Sequence, residues 1–127
     1  MFLVDTNVFL EILLGQEKQD TCRRFLEENH GAVFISDFSL HSIGVILFRH
    51  NREDIFRLFI EEVLGSIEIL SLPTDDYAQL GAVKAQWGLD FDDAYQYLVA
   101  QEFRLEIVTM DQDFRGIAKG EIRVTFL

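Results

Sequence analysis

Short apolar runs alternate with stretches of helical periodicity along the whole chain. Phe2-Leu3-Val4 reads as a buried strand that ends on Asp5. Val8 to Leu14 then reads as a short helix stopped by Gly15. Lys18 to Asn29 sets Cys22, Phe25 and Leu26 among charges, the pattern of an amphipathic helix that His30-Gly31 closes. Val33-Phe34-Ile35 is a second strand, and Ser36-Asp37 can cap a helix running to about His50. Arg52 to Leu64 repeats Ile55, Phe56, Phe59, Ile60 and Val63 on one side of a further helix. Ile67 to Leu70 is a third strand with Pro73 at its exit, followed by a helix from Asp75 to Trp87 that Gly88 closes. Asp90 caps a helix to about Phe103, Ile107-Val108-Thr109 is a fourth strand, and Val124-Thr125-Phe126 is a short last one.

Strands separated by helices require crossover connections and hence parallel pairing. The expectation is an α/β chain, a three-layer α/β/α domain around a central parallel sheet of four to five strands. No linker, repeat or low-complexity segment divides residues 1–127, so one domain is expected, long enough to bury a core. Phe56, Phe59, Phe91 and Phe103 fall at helical spacing and are assigned to that core. Tyr95, Tyr97 and Trp87 could line a groove for bases or a partner, but are read first as core or rim packing.

Composition narrows the partners. Eleven basic against 22 acidic residues leave a net charge of -11. The resulting field repels nucleic acid and anionic membranes, so nucleic-acid chemistry would require a bound cation or a basic partner. The single Cys22 excludes an intrachain disulfide and fits a reducing compartment. Asp5 leaves no room for a signal peptide, and no apolar run approaches the length of a membrane span. A cytoplasmic protein with no membrane role is expected.

The candidate chemistry is carried by acids at element boundaries. Asp5 follows the first strand, Asp92 and Asp93 lie in the first turn after Asp90, and Asp111 and Asp113 follow the fourth strand. Each has a local explanation. Asp5 can cap the next helix, Asp90 and Asp93 have nearly the spacing of a capping box, and Asp111-Gln112-Asp113 suits an Asx turn. If the first and fourth strands are neighbours, however, Asp5 and Asp111 meet at one edge of the sheet. Gathered carboxylates repel one another unless a hard cation such as Mg²⁺ or Mn²⁺ neutralises them. Such ions support phosphodiester hydrolysis without a side-chain nucleophile.

The V-D-T-N start, the D-D-A of Asp92-Asp93-Ala94 and the V-T-M-D-Q-D-F of Val108 to Phe114 resemble PIN-domain proteins, among them the VapC-type ribonuclease toxins of bacterial toxin–antitoxin pairs. The likeness extends over nearly the whole chain, and its most specific piece is the T-x-D-x-D-F ending. It implies a divalent-metal-dependent ribonuclease acting on RNA with Mg²⁺ or Mn²⁺. Asp5, Asp93 and Asp111 would be the catalytic, metal-binding acids, with Asn7, Ser42, Thr109 and Asp113 in support. It also implies a small antitoxin protein as partner, covering the acidic groove often with a basic side chain, and a homodimer as the working unit.

One position departs from the family. PIN ribonucleases usually carry a glutamate in the helix after the second strand, and the matching position in Ile35 to Ile43 is Ser42. Asp37, five residues earlier, lies about 140° round a helix from it and is a poor substitute. His41 is nearer in angle but reads as structural, as do His30 and His50 at helix ends. Arg49, Arg52 and Arg57 form a modest basic cluster and Arg23-Arg24 a smaller one; either could meet phosphates, but both are read first as solvated helix faces. Ser42 therefore supports an alternative, a catalytically weakened or inactive PIN-fold binding or regulatory module. A phosphotransfer domain fits less well. A receiver domain would show an early acidic pair, and a dehalogenase-type phosphatase a second Asp where Asn7 stands.

Overall fold

Alternation along the central strands sets the layers. In a computed structural model describing residues 1–127, the side chain of Lys119 left aside, β1 (Phe2–Val4) turns Leu3 to one face of the sheet and Val4 to the other. β4 (Glu106–Thr109) repeats this with Ile107 and Val108, each opposite its counterpart in the parallel register Leu3↔Ile107 and Val4↔Val108. With β2 (Val33–Ser36), β3 (Glu68–Leu70) and β5 (Val124–Phe126) they form an all-parallel five-stranded sheet in the order β3-β2-β1-β4-β5. The α/β architecture expected from the pattern is the one observed.

Four helices contribute to one hydrophobic cluster: α1 (Thr6–Leu13), α2 (Gln19–Glu28), α3 (Asp37–Arg49) and α4 (Glu53–Glu62). There Val8, Phe9, Cys22, Ile43, Leu47 and Phe59 meet Val4, Ile35 and Val108. α5 (Leu80–Trp87) and α6 (Phe91–Phe103) join the cluster on the opposite face, with Leu98, Val99 and Ala100 against Leu3 and Ile107. Burial on each face removes apolar surface from water at ~25 cal/mol per Å², the main favourable contribution to folding. Among the described residues no helix is long and apolar enough to cross a membrane.

Local differences from the sequence reading have identifiable causes. The stretch expected as one helix from Asp75 to Trp87 opens with a tighter 3-10 segment over Thr74–Gln79 before α5 begins. This winding after Pro73 accompanies a packing of Tyr77 edge-on to Tyr95, with ring centroids 5.9 Å apart. Of the four phenylalanines assigned to the core, Phe59 is buried and Phe56 packs at its margin, but Phe91 and Phe103 do not belong there. They are the first and last residues of α6, 53% and 40% exposed, outside its buried middle. Between them Asp93 to Ala100 is buried without interruption, so this helix has no solvent face for periodicity to report. Tyr95 and Tyr97 are core, as expected. Arg52, just before α4, pairs with Asp54 at 3.3 Å and Arg57 within α4 pairs with Glu61 at 2.9 Å, the exposed kind of ion pair that adds little stability.

Candidate functional site

Strand order reverses at β1, where β2 departs to one side and β4 to the other. Open α/β sheets bind ligands outside the carboxyl ends of their strands at such a switch point. Asp5 and Thr109 leave the two strands side by side there, the Asp5 amide donating to the Val108 carbonyl at 2.9 Å. A cleft of about 300 Å³ opens above them, lined by acids Asp5, Asp92, Asp93 and Asp111 with Asn7 and Ser42 among its other walls. No basic side chain lines it among the described residues.

Asp5 is buried on the floor, and three donors hold its carboxylate. Oδ1 accepts from the Thr6 amide at 2.8 Å and from Gln96 Nε2 at 3.1 Å, and Oδ2 accepts from the Thr109 hydroxyl at 2.7 Å. Desolvation still pushes its pKa up, against the opposing pull of Thr109, Gln96 and Thr6. Capping and site roles thus coexist in one residue, since the same carboxylate takes the first amide of α1. Thr109 in turn accepts from the Asp111 amide at 2.9 Å and from Asn7 Nδ2 at 3.4 Å, and Asn7 Oδ1 accepts from the Met110 amide at 3.2 Å. Asn7 and Thr109 therefore tie α1 to the end of β4 and set where the chain carries Asp111.

Asp93, Asp111 and Asp113 each place a carboxylate oxygen within 4.8 Å of the others. Asp90 caps α6 by accepting from the Asp93 amide at 3.1 Å, and Asp111 Oδ1 accepts from the Asp113 amide at 2.9 Å, so both local turns form as expected. Burial and then the negative charges of Asp90, Asp111, Asp5 and Asp113 push the Asp93 carboxyl up to about 7. Asp113, assigned a supporting place from the sequence, sits closer to this acid group than its expected role required. Asp5 lines the same cleft from below.

The departures on α3 are equally specific. Ser42 lines the acid cleft and brings no charge to it. Asp37 is turned elsewhere, accepting from the Tyr95 hydroxyl at 2.6 Å and the Ser71 hydroxyl at 3.0 Å. His41 lies outside the cleft on an exposed stretch of the helix.

Two residues of the site escape a reading of the sequence. Ser39, fully buried, accepts at its hydroxyl oxygen from Thr6 at 2.9 Å and from Gln96 Nε2 at 2.7 Å. Gln96 bridges Asp5 and Ser39 through that nitrogen, while its buried Oε1 has no partner among the described residues. One signal was present for Gln96: it lies three residues after Asp93, on the same side of α6. Clustered, partly desolvated carboxylates with no ion pair among the described residues, in a cleft that an unpartnered acceptor also lines, have the oxygen-donor chemistry of a hard divalent ion site.

A family model for the PIN domain matches residues 2–120. No curated protein sequence matches the chain significantly. Among solved structures, a toxin–antitoxin complex from Klebsiella pneumoniae is 24% identical with a TM-score of 0.76, the match covering 92% of each chain. VapC20 of Mycobacterium tuberculosis, a sarcin-ricin loop cleaving toxin, is 17% identical with a TM-score of 0.78, over 97% of this chain and 99% of that one. FitAcB from Neisseria gonorrhoeae is 22% identical with a TM-score of 0.73, over 100% and 97%. At these identities the likeness establishes a common fold.

Proposed function

The chain belongs to the PIN domain family, and from that premise we propose that residues 1–127 act as one cytoplasmic domain, a divalent-metal-dependent ribonuclease that is the toxin of a toxin–antitoxin pair. The observation that carries this reading is the group of Asp93, Asp111 and Asp113, with no ion pair to a basic side chain among the described residues, above the buried Asp5 at the sheet's switch point. Asp5, Asp93 and Asp111 would hold Mg²⁺ or Mn²⁺, with Asn7, Ser42, Thr109 and Asp113 in support. Bound there, such an ion would supply Lewis-acid polarisation of a phosphate and activation of a water.

The chain's own residues do the positioning. Asp5 cannot swing, because Thr6, Gln96 and Thr109 hold both its oxygens. Thr109 and Asn7 hold the backbone that presents Asp111, and Asp113 extends the acid wall toward solvent. Burial and the surrounding acids push the Asp93 carboxyl up to about 7, so a cation bound beside it would favour the ionised form. Ser42 offers a neutral hydroxyl where the family usually has a fourth acid.

An RNA cleavage assay with Mg²⁺ or Mn²⁺ tests the reading. The wild-type chain is expected to cut and Asp5→Asn and Asp93→Asn to fail; activity retained in both would refute it. Ser42 favours one alternative, a PIN-fold module that binds RNA or a partner with little or no catalysis. Metal binding without cleavage would select it, and recovery of cutting in Ser42→Glu would explain it.

A protein partner fits the same picture. The toxin–antitoxin complexes among the structural neighbours support a small antitoxin. Exposed Val45 and Phe48 on α3, 49% and 54% exposed, are apolar surface suited to a second copy in a homodimer.

A further inference from the structure

Four aromatic rings gather at one lip of the acid cleft. Phe38, which lines the cleft, has its ring centroid 6.2 Å from Phe91 and 5.6 Å from Tyr95. Phe91 and Tyr95 have centroids 6.4 Å apart and planes only 26° from parallel, and Tyr77 meets Tyr95 edge-on with centroids 5.9 Å apart. The inner member is fixed: the Tyr95 hydroxyl donates to Asp37 and accepts from the Leu72 amide at 3.0 Å. The outer members are open, Phe91 at 53% and Tyr77 at 44% exposure. Phe91 is also the residue before Asp92, itself part of the cleft wall.

We propose that Phe91, backed by Tyr95 and Phe38 and flanked by Tyr77, is a stacking platform for an unpaired nucleobase of the RNA whose phosphate enters the acid cleft. The inference rests on the nuclease reading and deepens it, by naming the surface that would hold a base beside the acids. Two observations select a base as the occupant. The platform is continuous with the cleft through Phe38, so a nucleotide adjoining the reacting phosphate reaches it. A chain of net charge -11, with no basic side chain among the described residues lining the cleft, repels a polyanion, so affinity has to come from contacts other than charge. Stacking on an aromatic face is independent of that charge and accepts every base.

The test is binding and cleavage of a fluorescent single-stranded RNA in Mn²⁺ by wild type, Phe91→Ala, Phe91→Trp and Asp93→Asn, with an otherwise identical oligonucleotide of abasic residues. Phe91→Ala is expected to weaken RNA binding about five-fold to a hundred-fold, raising KM more than it lowers kcat. Phe91→Trp restores affinity, and the abasic strand does not distinguish Phe91→Ala from wild type. Equal RNA affinity for wild type and Phe91→Ala overturns the platform. A dimer that Phe91→Ala dissociates, with RNA affinity unchanged, also overturns it and assigns the surface to a second copy. RNA that binds through Phe91 but is never cut refutes the nuclease and leaves the platform standing; RNA that does not bind at all refutes both.

Discussion

Replacing Asp93 with asparagine is expected to stabilise the metal-free protein above neutral pH and leave it almost unchanged in acid. The carboxyl has an ordinary value of 3.8 and is pushed up to about 7 in the folded chain, first by burial and then by Asp90, Asp111, Asp5 and Asp113. Between those values the native state keeps a proton that the unfolded chain has released, so stability falls as pH rises through that window. The full rise corresponds to a ceiling of about 4 kcal/mol at roughly 1.4 kcal/mol per pH unit. Water reaching the cleft mouth and its screening of the charges reduce this to about 1–2 kcal/mol. Asparagine mimics the protonated acid and removes the titration. Urea unfolding in a chelator should therefore give equal stabilities for wild type and Asp93→Asn near pH 4, with the variant ahead by about 1–2 kcal/mol at pH 8. Millimolar Mn²⁺ should reverse the order, because ligand binding to the native state stabilises only the chain that keeps the acid. A variant that is less stable than wild type at pH 8 in chelator would refute the view that these carboxylates oppose folding until a cation joins them.

Three further outcomes follow from the same geometry. Ser42→Glu adds a fourth acid facing the cleft and should tighten Mn²⁺ binding about ten-fold or more by calorimetry while destabilising the metal-free fold, since like charges in contact repel; unchanged affinity would place residue 42 outside the ion's reach. Thr109→Val removes the hydroxyl that donates to Asp5 and accepts from the Asp111 amide, at an expected cost of about 1–3 kcal/mol in urea unfolding, with Mn²⁺ affinity lowered as well. Phe9→Ala empties a fully enclosed position, 2% exposed and packed edge-on to Phe59 at 5.6 Å. It should cost about 3–5 kcal/mol without altering metal affinity per folded molecule.

The elements that position Asp5 and Asp111 were legible because strand and boundary signals coincide. An apolar triplet ending on an acid locates both the end of β1 and a cap for α1, and Val108-Thr109 does the same for β4. Ser42 is pointed to only by the resemblance to PIN ribonucleases, whose usual glutamate position it matches; spacing after β2 does not by itself say which way it faces. Gln96 and Ser39 could not be found this way. A polar residue inside a helix reads as solvent-facing, and only the sheet register that brings β1 beside β4 puts Asp5 within reach of α6. Phe91 was misplaced for the converse reason: helical spacing identifies a face but not where the neighbouring layer stops. The 3-10 winding after Pro73 accompanies a tertiary contact between Tyr77 and Tyr95 and leaves no mark in periodicity.

The hydrogen bond between Thr109 and Asp5 joins residues 104 apart in sequence across the middle of the sheet. At a synthesis rate of ~5–20 residues per second, about 5 to 20 s separate the appearance of its two ends. Through that interval the strand at the centre of the finished sheet has one edge bare, and the acids of the cleft are distributed along a chain that cannot yet gather them. Assembly of the acid site is therefore a late event in the life of each molecule. A partner that bound only the completed cleft would meet no competitor among nascent chains, whereas a chaperone covering the open edge of β1 would have its task confined to those seconds.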